Sequence, residues 1–128
     1  MKPTSHQIHA AIGKIKTDPI GLEAKALIIM ACKTRLPGSR ILNLTSDQIT
    51  IMKSNIIIYA GSKKFKIKKM DPLGKILWDH ARSIPPNHYL FKTYRSTSKR
   101  IDSKYYYWVK MWFGSILLHV TPRDLMKK

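Results

Sequence analysis

Acidic residues are nearly missing from this chain. Seven Asp and Glu stand against 24 Lys and Arg, and Glu23 is the only glutamate among 128 residues. The resulting charge of +17 excludes a self-neutralising surface, because such a surplus repels itself until something anionic approaches. Nucleic acid is the leading partner class and an anionic membrane the weaker one. Cysteine is equally scarce. Cys32 stands alone in an apolar run, which excludes an internal disulfide, fits a reducing cytoplasm and reads as a small core residue. No apolar run reaches the length of a membrane span, and no signal-peptide pattern opens the chain, so no membrane association is expected. His6 and His9 lie three apart, and His80, His88 and His119 are scattered. With one cysteine and so few acids they make no zinc pattern, and no metal or cofactor is expected.

What is present is an ordinary globular composition, 44% apolar, enough for one domain with a real core. "PTSHQIHAAIGKI" offers Thr4 or Ser5 as an N-cap and Ile8, Ala11, Ile12 and Ile15 at helical spacing. "TDPIG" breaks that pattern, and "LEAKALIIMAC", apolar nearly all round, reads as a central buried helix. "KTRLPGSR" is a turn, and "ILNL" adds one or two helical turns. "QITIMK", "NIIIYA" and "FKIKK" read as a three-stranded antiparallel meander with one very positive face. Pro72 opens a helix carrying Leu73, Ile76, Leu77 and Ala81 on one side. After the loop "SIPPNHYLF", residues Ile101, Tyr105, Trp108, Val109, Trp112, Phe113 and Ile116 mark the inner face of a long helix. Thr121, Pro122 and Asp124 open a short last one. The expected fold is α+β, mostly helical, with a small three-stranded antiparallel sheet.

Four stretches in this order resemble the catalytic domain of the tyrosine recombinases, the phage integrase family. "ACKTRLPGSRILNLTSDQI" is similar to the family's T-G-L-R-x-S-E-x-L-x-L-x-W-x-D-I segment. "IYAGSKKFKIKKMDPL" looks like its strand hairpin, "NHYLFKTYRSTSKR" like the loop before its long helix, and "VTPRDLMKK" like T-P-H-D-L-R-H. The resemblance covers roughly residues 20–128, and the family's separate N-terminal helical domain has no counterpart.

Residue by residue, the resemblance implies a domain without its chemistry. The family's first catalytic Arg falls on Pro37, the acidic residue after it on Arg40, and its usual Gly on Arg35. In the last segment its His falls on Arg123, its second Arg on Met126, and its second His-like position on Lys127. The hairpin Lys survives as Lys63, with Lys64 an equally good neighbour. The nucleophilic Tyr has no counterpart, since Tyr59, Tyr89, Tyr94 and Tyr105 to Tyr107 all precede the last segment. In the family the two Arg side chains clamp the scissile phosphate. Pro37 and Met126 cannot do that, so catalytic inactivity is expected.

Basicity remains. Arg35 and Arg40 lie in the first segment, and Lys63, Lys64, Lys66, Lys68 and Lys69 lie on or beside the hairpin. Arg95, Lys99 and Arg100 flank the next loop, where Ser96, Thr97 and Ser98 add neutral phosphate donors. Arg123, Lys127 and Lys128 end the chain. The resemblance implies that these regions face DNA. The expectation is a non-enzymatic protein binding double-stranded DNA, cytoplasmic and nucleoid-associated. It would serve as a transcription regulator or an accessory factor of a plasmid or phage, alone, as a homodimer or with a partner protein. The alternatives are a split recombinase that receives its Tyr in trans and an RNA-binding, ribosome-associated protein.

Overall fold

A computed structural model describes residues 2–97 and 99–127. Thr4 opens α1 (Ser5–Gly13) with a capping box. Its hydroxyl accepts from the Gln7 N–H at 3.2 Å, and its own N–H donates to Gln7 Oε1 at 2.9 Å. Asp18 opens α2 (Pro19–Thr34) by accepting from the Gly21 N–H at 2.7 Å, with Pro19 in the first turn. The break at Thr17–Gly21 is therefore the start of α2, which begins ahead of Leu22. Leu27, Ile28, Ile29 and Met30 are fully buried, and α2 is the axis of the core. It ends at Arg35 in the left-handed region, φ 56°.

A short helix α3 (Gly38–Leu42) follows, then a single 3-10 turn at Ser46–Gln48 and the sheet. Strands β1 (Ile49–Ile51), β2 (Asn55–Ala60) and β3 (Lys63–Lys68) pair antiparallel in that order. Ile56, Ile58 and Ala60 on β2 and Ile67 on β3 are buried, so one face of the sheet covers the helices. Asp71 caps α4 (Pro72–Arg82), which packs on α2 and closes on the end of β3. That approach requires Gly74, where a Cβ would meet the Lys68 carbonyl oxygen at 2.1 Å.

The return loop is anchored from beneath. His80, buried and stacked 5.7 Å from the Phe91 ring, donates from Nε2–H to the Leu90 carbonyl at 2.7 Å. Glu23 accepts from the Thr93 N–H at 2.9 Å and from its hydroxyl at 2.8 Å. Helix α5 (Ser103–Gly114) buries Tyr105, Val109, Trp112 and Phe113. Ile101 and Ile116 flank it, partly buried, outside the helix itself. Helix α6 (Pro122–Leu125) starts where Asp124 Oδ2 accepts from the Thr121 N–H at 2.9 Å. Among the described residues the architecture is thus α+β, with six helices and one three-stranded antiparallel sheet.

Candidate nucleic-acid interface

Alternation on β3 sets the first element of the site. Lys64, Lys66 and Lys68 lie opposite Tyr59, Ile57 and Asn55 on the face turned away from the helices, and all three are exposed. Side chains two residues apart on a strand repeat every ~6.6–6.8 Å. That equals the axial rise of two nucleotides, at about 3.4 Å each along a DNA strand. Lys64 Nζ sits 5.8 Å above the Tyr59 ring.

The end of α2 extends this row. A depression of about 460 Å³ along β3 is lined by Lys33, Lys64, Lys66, Lys68 and Asp71. Lys33 also lines a neighbouring cleft of about 260 Å³, where Lys2, Arg35 and Lys127 surround an apolar floor of Ile8, Leu73 and Leu125. Seven cations thus line one continuous surface against two carboxylates, Asp71 and Asp124. Both carboxylates are engaged. Asp71 pairs with Lys33, whose hydrogen bond holds its carboxyl below the ordinary range, and it also accepts from the Leu73 N–H at 3.0 Å. Asp124 lies 3.1 Å from Lys127 Nζ and accepts from Thr121. Cys32 borders the same cleft, and burial pushes its thiol up to about 12, which favours the protonated thiol at neutral pH.

The other basic residues are distributed differently. A Cβ on Gly61 would meet Arg40 Nη2 at 2.8 Å, so Arg40 covers the hairpin turn. Lys63 lies opposite Ala60 and therefore on that side of the strand, away from the lysine row. Lys69 packs its ammonium 3.8 Å over Trp78, with Arg82 at 4.9 Å. Arg95 Nη1 donates to the Leu42 carbonyl and to Asn43 Oδ1, and the guanidinium lies 3.6 Å over Tyr89. Arg100 pairs with Asp102 at 3.5 Å, while Lys99 and Arg123 are exposed. Ser96 and Thr97 line a separate depression with Lys104 and Tyr107. Ser98 and Lys128 lie outside the described residues.

Sequence reasoning missed Lys33 and Lys2. A lysine in the last turn of a helix is ordinary complementation of the helix dipole, and only the tertiary structure sets it in the depression along β3. Among the described residues no three His, Cys, Asp or Glu side chains gather to hold a metal, and no helix is long and apolar enough to cross a membrane. The chain matches no protein-family model, no curated protein and no solved structure.

Proposed function

We propose that the protein binds duplex DNA without cutting it, on a tyrosine recombinase-like fold, as a transcription regulator or an accessory factor of a mobile element. The observation that carries this reading is the continuity of cations through Lys33, from the outward row of β3 to the cleft holding Lys2, Arg35 and Lys127. Phosphate contacts then dominate, and they position the protein on DNA without reading bases.

Two further observations support it. The end of α2 and helix α6 wall the cleft, and the positions that match the family's two arginines, Pro37 and Met126, follow closely after each of them. Arg35 holds a left-handed backbone at the position where the family has glycine, the residue for which that conformation costs least. Where the family has arginine this chain has Pro37 and Met126, and neither donates a hydrogen bond to phosphate. Loss of a single oxyanion-type donor lowers a rate by about 10²–10³, so binding without cleavage is the activity this cleft is left with.

The test is a titration of the full chain with random-sequence duplex DNA between ~0.05 and ~0.2 M salt. Replacing Lys64, Lys66 and Lys68 together by Ala reduces the slope of log K against log salt by up to about 2.7, at ~0.9 per phosphate contact. An unchanged slope removes β3 from the interface. Covalent capture of a nicked duplex by this chain overturns the non-enzymatic reading, and tighter binding to double-stranded RNA overturns the choice of DNA.

A further inference from the structure

Helix α5 has a second face that neither the core nor the lysine row uses. Tyr106, Tyr107 and Met111 are 42%, 56% and 50% exposed. Lys104 and Lys110 are exposed beside them, three residues either side of Tyr107 and therefore its neighbours on the helix surface. Lys110 Nζ lies 5.9 Å over the Tyr106 ring. The helix Ser103–Gly114 contains no acidic residue, so these cations have no counter-charge on their own element. At its end, a Cβ on Gly114 would meet nothing within 4 Å, which leaves open space beyond the rings. Beside Tyr107 and Lys104 lies the depression shared with Ser96 and Thr97, about 350 Å³, within the size range of pockets that take a small ligand.

A solvated helix face needs charge but not exposed rings, and a protein-binding face of this apolar content does not need two lysines without an acidic partner among the described residues. Rings interleaved with ammonium groups match a partner that presents flat π-faces and phosphates in alternation. In duplex DNA the bases are stacked on one another, whereas in a single strand they are open to a tyrosine. We propose that the outward face of α5 binds single-stranded nucleic acid. One base stacks on Tyr107 beside the depression and a second on Tyr106, with Lys104 and Lys110 on the intervening phosphates. This face is distinct from the β3 row, and its occupancy does not depend on duplex binding there.

The experiment uses the full chain, a fluorescein-labelled oligo-dT and a random-sequence duplex, read by anisotropy at one salt concentration. Tyr106→Ser with Tyr107→Ser is expected to weaken oligo-dT binding by about tenfold per ring and to leave duplex binding within about twofold. The Lys64, Lys66 and Lys68 triple variant does the reverse, so failure of one surface is distinguishable from failure of the other. Both tyrosines are exposed, and the Tyr106→Phe, Tyr107→Phe variant, which keeps the rings, should bind oligo-dT like the parent. Retained oligo-dT affinity in the serine variant overturns the proposal. So does an equal loss in the phenylalanine variant, or displacement of oligo-dT by oligo-glutamate of matching charge, since either means that stacking contributes nothing.

Discussion

The edge strand β3 and the return loop at residues 85–95 both set basic side chains beside tyrosine, and they hold them in opposite ways. In the loop, Arg95 is fixed by the Leu42 carbonyl, Asn43 and the Tyr89 face. The lone glutamate, Glu23, holds Thr93, and His80 holds Leu90. On β3, Lys64 meets only the edge of a cation–π contact with Tyr59 at 5.8 Å, and Lys66 and Lys68 project to solvent. A charge held by two hydrogen bonds and a planar stack is a structural clasp, whereas a charge on a loose four-carbon stem remains available to a partner. Both places carry basic side chains, and geometry separates cations that build the fold from cations left exposed outside it.

The largest effect should come from opening the clasp. Arg95→Ala removes charged hydrogen bonds and the packing over Tyr89, for a loss of about 1.5–3 kcal/mol in stability by urea unfolding. Arg95→Lys should not restore it, because an ammonium does not reproduce the planar stack over Tyr89. Preserved stability in Arg95→Ala would erase the contrast between the two regions.

His80 tests the same loop through pH. Burial, the largest influence, lowers its pKa below the ordinary 6.5, against the Leu90 hydrogen bond and Glu23, which raise it. The unfolded chain therefore takes up the proton first on acidification. The contribution to stability is complete above pH 6.5 and declines as pH falls through the folded-state value. His80→Leu leaves the Leu90 carbonyl without its donor and should cost about 1–3 kcal/mol at pH 7.5. It should also unfold with a smaller change in urea midpoint between pH 7.5 and 5.5 than the parent. An unaltered pH response would show that this ring is not the titrating group.

The smallest effect sharpens the other region. Asp71→Asn keeps an acceptor for the Leu73 N–H, so the cap of α4 survives. It removes the carboxylate that pairs with Lys33. Duplex affinity should rise by about two- to fivefold, the equivalent of one exposed ion pair, measured by anisotropy at fixed salt. Unchanged affinity would take Lys33 out of the continuous surface.

Much of the scaffold is legible in short-range chemistry. Thr4, Pro72 and Thr121 mark helix starts where the backbone needs caps or a preset φ. The alternation of "FKIKK" already separates Ile67 from the lysines on either side. Boundaries are less legible, because Ile101 and Ile116 keep the helical period yet pack beside α5 rather than in it. The candidate interface is legible only in part. Lys64, Lys66 and Lys68 announce themselves by spacing. Lys33 and Lys2 join them through contacts between segments distant in sequence, and Arg95 and Lys69 leave the candidate surface because of rings that the local sequence does not place.

Strand β3 lies at the border of its sheet, and a border strand offers its free backbone groups to any other strand that comes near. Three ammonium groups at alternate positions make the approach of an identical border unfavourable. Their reach shrinks from about 8 Å at physiological ionic strength to about 3 Å in molar salt. The lysine row proposed to meet a polyanion therefore also opposes the addition of one copy's sheet to another's, and strong salt should weaken both effects together.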